Sequence, residues 1–140
     1  MNIDKFKHQH TDILGAIARL RTLVKAGIAA NAAAIAATIV EMSGTIRLHL
    51  SVEDRVLYPA LGASGNAALA NMSRHYQHEM QEIAGAYLAF APRWNGARQL
   101  CEAPEAFRAE ANAVLRTVYE RMRKEDTEFY PAVEANFSAA

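Results

Sequence analysis

Cysteine, proline and glycine are all scarce in this chain, with one, four and seven copies in 140 residues. A single cysteine excludes an internal disulfide, which fits a reducing cytoplasm, and we expect a cytoplasmic location. Proline and glycine are the residues that most disfavour helix interiors. Because they are rare while alanine, leucine, arginine and glutamate dominate, composition predicts an all-α fold.

The chain also lacks an excess of charge, since 15 Lys+Arg balance 15 Asp+Glu. This balance gives no electrostatic reason to expect nucleic acid or an acidic membrane surface as a partner. The start has no basic stretch followed by an apolar one, so we expect no signal peptide. The alanine-rich run over residues 26–40 is too short and too weakly apolar to span a membrane.

Apolar residues recur every three or four positions in four segments, which predicts four helices. The expected boundaries are, in chain order, Gly27 (end), Asn31 (start), Pro59 (end), Asn66 (N-cap), Pro104 (start) and Pro131 (weakening or end). A looser stretch is expected over residues 91–104. Short connections between long helices favour an antiparallel up-down-up-down four-helix bundle, and no linker divides residues 1–140 into more than one domain.

Two segments of the chain share one frame, HLSVEDRVLYPAL over residues 49–61 and RMRKEDTEFYPAV over residues 121–133. Each contains a Glu-Asp pair, three further residues, and then Tyr-Pro-Ala with an aliphatic residue. The first segment begins with a histidine and the second with an arginine. The repeat indicates two helical hairpins of related sequence.

Several polar residues fall on the apolar stripes that are predicted to form the core. His10 lies on the first stripe. His49 and Glu53 lie one turn apart on the second, and Glu125 lies on the fourth with Arg121 one turn before it. The same stripes continue to Val56 and Phe129. Buried polar groups are costly unless they are paired or bound to a metal.

Histidine and glutamate one helical turn apart can offer two ligands to one ion. Imidazole and carboxylate together suit iron, manganese or zinc. A single inward histidine is more commonly a hydrogen-bonded core residue. The prediction of a metal site therefore depends on the conjunction of His10, His49, Glu53 and Glu125 from three helices.

The third helix supplies weaker candidates. Tyr76 lies on its apolar stripe, Glu79 lies near the stripe and His75 lies on the flank. His78 and, in the first helix, His8 are predicted to face water.

With these residues in view, the chain resembles the hemerythrin-like proteins of the HHE cation-binding family over essentially its whole length. The motifs are "QHTDIL" around His10 and the two repeated segments. The resemblance implies an antiparallel four-helix bundle with a non-heme di-iron centre. It further implies binding of O2, or a role in iron or oxygen sensing, nitrosative repair or peroxide chemistry. The implied cofactor is one or two iron ions, with manganese or zinc as alternatives.

The resemblance assigns His10 and His49 as terminal ligands of one iron, and Glu53 and Glu125 as bridging carboxylates. The second iron is where this sequence departs from the family. Arg121 stands in place of the fourth-helix histidine, and the third-helix histidine has no clean match. The nearest third-helix candidates are Tyr76, His75 and Glu79.

Arginine stays protonated and does not bind metals. One hypothesis is that Arg121 supplies the positive charge of a second ion by pairing with Glu53 or Glu125. In a second, Arg121 extends to water, and Tyr76 or Glu79 with His75 completes an altered second site. In a third, the bundle is metal-free and a buried His-Glu-Arg network specifies the fold.

Three functions follow from these alternatives. The first is a non-heme metal protein that binds or senses O2, NO or peroxide, or that handles iron. The second is a metal-free interaction or structural module. Trp94 is a candidate exposed anchor for it, although a single tryptophan is more often packed against its own bundle. A homodimer is a possible assembly for the protein in either case. The third is a di-metal enzyme, which no feature of the sequence separates from simple binding.

Overall fold

The computed structural model describes residues 2–138. Regular structure in this range is helical throughout, which confirms the all-α prediction. The helices are α1 (Asp4–Ala26), α2 (Ala32–Val52), α3 (Tyr58–Gly62), α4 (Ala67–Trp94), α5 (Ala97–Glu102), α6 (Pro104–Lys124) and α7 (Tyr130–Ser138). Two π-helical turns, Glu53–Leu57 and Glu125–Phe129, join α2 to α3 and α6 to α7.

Four predicted helix boundaries are confirmed, and the first is Asn31, which directly precedes the start of α2 at Ala32. Gly27 follows α1 with φ 121°, a conformation that glycine adopts without the steric cost a side chain would bring. Asn66 caps α4, because its side-chain oxygen accepts a hydrogen bond from the backbone nitrogen of Leu69 at 3.0 Å. Pro104 occupies the first turn of α6, where its missing N–H costs nothing.

The predicted helix ends at Pro59 and Pro131 are wrong, because the chain continues as α3 and α7 beyond them. Each proline lies two residues after the last residue of a π-helical turn. In the first such turn the backbone N–H of Tyr58 bonds to the carbonyl of Glu53, five residues back. Pro59 then lies in the first turn of a new helical segment, where the missing N–H and the fixed φ are tolerated.

The stretch over residues 91–104 is also more regular than predicted. Helix α4 continues through Pro92 to Trp94, and α5 follows after two residues. The Trp94 side chain is 7% exposed, and its ring lies 5.5 Å from that of Phe107. Its indole nitrogen donates to Glu110 at 2.8 Å. Trp94 is therefore packed against its own chain, and the alternative in which it is an exposed anchor is wrong.

The long helices enclose the core by contacting one another in a closed order. Helix α1 packs against α2 and α6, and α4 packs against the same two helices. Two apolar clusters fill the interior, a large one along the bundle and a smaller one around α3 and α7. On each helix that carries a predicted ligand, the ligand lies between residues of the large cluster and residues of the small one. Glu125, for example, lies between Met122 of the large cluster and Phe129 of the small one.

The π-helical turn corrects one predicted core position. Val56 was expected on the buried stripe but is 50% exposed, whereas Leu57 and Tyr58 are buried. In an α-helix the third and fourth residues after Glu53 would share its face. Because the π-helical turn bonds each residue to the fifth one back, the fourth and fifth share that face instead.

None of the helices within residues 2–138 has both the length and the apolar character needed to cross a membrane.

Candidate metal centre

The four residues that the sequence placed inward are all buried. The exposed fractions are 1% for His10 and 0% for His49, Glu53 and Glu125. Helix α1 carries the first histidine, α2 the second, and each glutamate is the first residue of a π-helical turn. The repeated Glu-Asp frame thus places two carboxyl groups at equivalent points of two helices.

Ligand atoms of three of these four side chains, His10, His49 and Glu125, converge on one point, and Glu53 lies beside His49. The Nε2 atom of His10 lies 2.9 Å from Oε1 of Glu125, and Nε2 of His49 lies 3.1 Å from Oε1 of Glu53. The two Nε2 atoms are 3.1 Å apart. One ligand atom from each of His10, His49 and Glu125 lies within 4.8 Å of the others, a spacing that could hold a metal ion.

The outer nitrogen of each imidazole faces an oxygen. Nδ1 of His10 lies 2.9 Å from Oδ1 of Asp126, and Nδ1 of His49 lies 2.7 Å from Oε1 of Gln9. Carboxylate and amide oxygens only accept hydrogen bonds, so both Nδ1 atoms donate. In a neutral imidazole the Nε2 lone pair then faces the pocket. Two such lone pairs 3.1 Å apart repel each other unless a proton or a cation lies between them.

The pKa shifts of the buried groups indicate where the pocket favours positive and negative charge. Burial would lower the pKa of His49, but the adjacent carboxyl groups of Glu125 and Glu53 outweigh it and raise that pKa to about 9. Burial and the neighbouring charge of Glu125 raise the pKa of Glu53. Burial would also raise the pKa of Glu125, but His10, His49 and Arg121 together hold it well below its usual range. The pocket therefore takes up positive charge where a cation would fit.

Arg121 is buried beside this pocket, so the alternative in which it extends to water is wrong. Its Nε donates to Oε2 of Glu125 at 2.6 Å, and its Nη2 donates to the carbonyl of Tyr76 at 2.5 Å. The guanidinium carbon also lies 4.6 Å from the centre of the Tyr76 ring. Glu125 therefore presents one oxygen to the histidines and the other to a fixed guanidinium.

The remaining third-helix candidates lie away from the histidine pair. The Tyr76 hydroxyl donates to Glu128 at 2.9 Å, and its ring stacks on Phe129. His75 is exposed. Glu79 lies at the surface, 3.6 Å from Nη1 of Arg121 and 3.4 Å from Lys124. Among the described residues, neither His75 nor Glu79 joins the group that could hold an ion. His8 and His78 are exposed, as predicted.

Sequence reasoning missed Tyr130 as a site residue. Its hydroxyl lies 3.0 Å from Nε2 of His10, 3.3 Å from Oε1 of Glu125 and 3.5 Å from Oε2 of Glu53. Burial, followed by the two nearby carboxylates, raises the pKa of Tyr130, so the hydroxyl keeps its proton. The available signal was the Tyr-Pro of the repeat, whose first copy provides the equally buried Tyr58.

Gln9 and Asp126 were also missed, although each directly neighbours a predicted ligand in the sequence. Adjacent helical residues point about 100° apart, so neighbours of an inward residue are normally assigned elsewhere. Here Gln9 contacts His49 of α2, and Asp126 contacts His10 of α1, so each side chain reaches a histidine of a neighbouring helix.

One orphaned atom tests whether the site suits a cation. Oε1 of Glu53 is fully buried and makes no aligned hydrogen bond in the described part of the chain, although His49 Nε2 is 3.1 Å away. Buried carboxylate oxygens normally have a partner. An imidazole pair, a bonded carboxylate and an incompletely bonded carboxylate form a donor set that fits a transition metal.

An all-α chain with two imidazoles and two carboxylates at one buried point has the donor set of a cation-binding helical protein. The family model described as the hemerythrin HHE cation binding domain matches residues 1–133, and the chain belongs to this family. No curated protein and no solved structure gives a significant match to the chain.

Proposed function

We propose that this protein binds one transition-metal ion, iron in the first place and manganese or zinc otherwise, through His10, His49 and Glu125. The observation that carries the proposal is the convergence of their ligand atoms within 4.8 Å. Glu53 extends the donor set with its unbonded oxygen. Membership of a cation-binding family supports the same conclusion.

Hydrogen bonds around the pocket prepare these ligands. Gln9 and Asp126 hold the two imidazoles so that both Nε2 atoms point inward. Outer partners of this kind orient ligating histidines and raise their basicity. The apolar cluster that contains Phe6 and Phe129 closes the site on the side of α3 and α7. The chain therefore supplies a fixed, water-poor pocket for a cation.

A bound iron ion would supply redox and Lewis-acid chemistry to a small molecule. We propose that this molecule is O2, NO or peroxide, which the protein binds or senses, or that the site handles iron itself. Tyr130 keeps a proton within 3.5 Å of both carboxylates and can donate a hydrogen bond inside the pocket.

We further propose that Arg121 takes the place of a second ion. Its guanidinium already neutralises the outer oxygen of Glu125 at 2.6 Å. The carbonyl and ring of Tyr76 fix the guanidinium there. A second cation at this point would face a permanent like charge and would lose that carboxylate oxygen. This favours a mononuclear site over the symmetric pair that the family resemblance implies.

The contacts of α1 with α2 and α6, and of α4 with the same pair, support an antiparallel up-down-up-down four-helix bundle. We propose this topology, and a single domain over residues 1–140, as the setting of the site. The cytoplasmic location and the homodimer stay predictions.

The first experiment is metal stoichiometry after anaerobic reconstitution with Fe(II) and desalting. We expect about one iron per chain, and none in His49→Ala, because a site built on three protein ligands does not hold its ion after losing one of them. Arg121→His should raise the content toward about two, because it restores a ligand and removes a cation. Two irons in the unaltered chain would contradict the role given to Arg121.

The second candidate is a metal-free interaction or structural module. It is favoured by the contacts that both oxygens of Glu125 make within the chain, one with His10 and the other with Arg121. Fe(II), Mn(II) and Zn(II) discriminate the two functions, because an ion that binds only the folded state must raise its stability. Absence of both bound metal and a shift in Tm would select the metal-free module.

A further inference from the structure

A groove of about 480 Å³ lies between α1 and α6, on the part of these helices away from the metal centre. On α1 it extends over residues 17–25, beyond His10, and on α6 over residues 107–120, before Arg121. Its apolar lining comprises Ile17, Leu20, Val24, Phe107, Ala111 and Leu115. No function discussed above uses this groove.

Positive charge surrounds the groove on both helices. Arg21 and Lys25 line it from α1, Arg108 and Arg116 line it from α6, and Glu120 is the one carboxylate among the described lining residues. The chain as a whole has equal numbers of cations and anions. Four cations against one anion are therefore a local concentration of charge that the average composition does not explain.

Three of these cations have no acidic partner. No carboxylate oxygen of the described chain lies within 4.0 Å of the charged groups of Arg21, Lys25 or Arg116, whereas Arg108 pairs with Glu105 at 3.3 Å. All four side chains are exposed. An anion in the groove would meet guanidinium and ammonium donors that the protein itself leaves free.

Size and shape restrict the ligand further. The volume lies within the range of about 300–1,000 Å³ that is typical of small-molecule sites. Residues 17–25 of α1 span about 12 Å at 1.5 Å per residue, so the groove suits an elongated body. Tyr119, which is 41% exposed, adds an aromatic surface to the wall.

We propose that this groove binds a single-chain amphipathic anion, with its hydrocarbon chain on the apolar floor and its acidic head among the cations. The two features are separate requirements, since the floor alone would accept any apolar chain and the cations alone would accept any anion. The groove shares no residue with the metal centre, so this inference does not depend on the proposed function.

Isothermal titration calorimetry with dodecanoate, below its micelle concentration, tests the proposal. We expect saturable binding that weakens as salt rises, because exposed charges are screened. Dodecyltrimethylammonium keeps the chain and reverses the charge, and butyrate keeps the head and shortens the chain. Each should bind at least about tenfold more weakly, a loss of about 1.4 kcal/mol. Equal affinity for dodecanoate and the ammonium compound would overturn the charge argument.

Paired variants locate the site. Arg21→Glu with Lys25→Glu should weaken dodecanoate at least about tenfold. Lys5→Glu with Arg47→Glu changes the net charge equally at exposed positions outside the groove and should leave the affinity unchanged. Val24→Trp fills the groove without altering its charge and should also abolish binding.

Unchanged binding in both groove variants would overturn the assignment, as would the absence of any saturable binding. An acidic amphipathic peptide that binds where dodecanoate does not would replace the small molecule with a protein partner. Helical circular dichroism of each variant confirms that a lost signal does not reflect unfolding.

Discussion

The hydroxyl of Tyr130 lies 3.3 Å from Oε1 of Glu125, although the two residues are five positions apart on one helical path. In an α-helix, residues five apart point about 140° away from each other. The π-helical turn Glu125–Phe129 removes that difference. The same turn in the first repeat buries Tyr58 on the side of Glu53. The repeated Glu-Asp-x-x-x-Tyr frame thus places a carboxyl group and a phenol on one inner face, twice.

The two tyrosines of the repeat allow a matched comparison. Tyr130→Phe removes a hydroxyl that contacts His10 and Glu125, and it should destabilise the metal-free protein by about 1.5–3 kcal/mol, as for other hydrogen bonds to charged groups. Tyr58→Phe should be neutral or stabilising, because its buried hydroxyl has no partner in the described chain. Urea unfolding in the presence of a chelator measures both. Equal losses would show that the contacts of Tyr130 contribute nothing.

The side chains behind the histidines should control metal affinity without controlling stoichiometry. Asp126→Ala and Gln9→Leu remove the acceptors of His10 and His49, and each should weaken metal binding about 10–100-fold. Asp54→Ala is the control, because Asp54 holds the position of Asp126 in the first repeat but contacts Gln77 instead. Competition with a chelator of known affinity gives the three constants. A loss in Asp54→Ala as large as in Asp126→Ala would contradict the orienting role.

Arg121 should stabilise the metal-free protein through Glu125. Arg121→Met leaves a buried carboxylate without its charged partner, a change that costs about 3–5 kcal/mol for buried pairs. Arg123→Met removes an exposed cation from the same helix and should cost no more than about 0.5 kcal/mol.

A double-mutant cycle gives the coupling between the two charges of this pair. Adding Glu125→Gln to Arg121→Met should cost less than the two single changes together, because the stranded charge is gone. Denaturant unfolding of the four proteins supplies the numbers. Additive losses would show that the two groups do not interact across the 2.6 Å contact.

The π-helical turn itself predicts opposite effects at neighbouring positions. Leu57→Ala should destabilise the protein by about 2–5 kcal/mol, because Leu57 is fully buried. Val56→Ser should change stability by no more than about 0.5 kcal/mol, because Val56 is half exposed. An uninterrupted α-helix predicts a large effect at Val56 as well. Thermal unfolding of the two variants distinguishes the π-helical turn from an uninterrupted α-helix.

Much of the architecture was available from the sequence. Hydrophobic periodicity predicted the long helices, and Gly27, Asn66 and Pro104 marked boundaries through conformational preferences that act within a few residues. The helix ends predicted at Pro59 and Pro131 were wrong, because a proline is tolerated in the first turn of a helical segment that follows a π-helical turn. The hydrogen-bond pattern of a π-helical turn has no strong local sequence signal, so its boundaries could not be read from residue types.

For the site, the sequence by itself predicted that His10, His49, Glu53 and Glu125 would be buried. Each lies three or four positions from apolar residues of a predicted helix, and residues at that spacing share one face of the helix. Through the family resemblance it also predicted an asymmetric site, since arginine cannot replace histidine as a ligand. The first of these conclusions needs only the periodicity of a helix and the chemistry of each side chain.

Only the tertiary structure decided which of these groups meet. The contacts of His10 with Asp126 and Tyr130 join residues 116 and 120 positions apart, and their distances depend on how α1 packs against the end of α6. Arg121 pairs with Glu125 and does not extend to water. Its guanidinium is held in this position by the carbonyl of Tyr76, which belongs to α4. Such contacts follow from the relative placement of helices, which is fixed by the packing of the whole core and not by any local pattern.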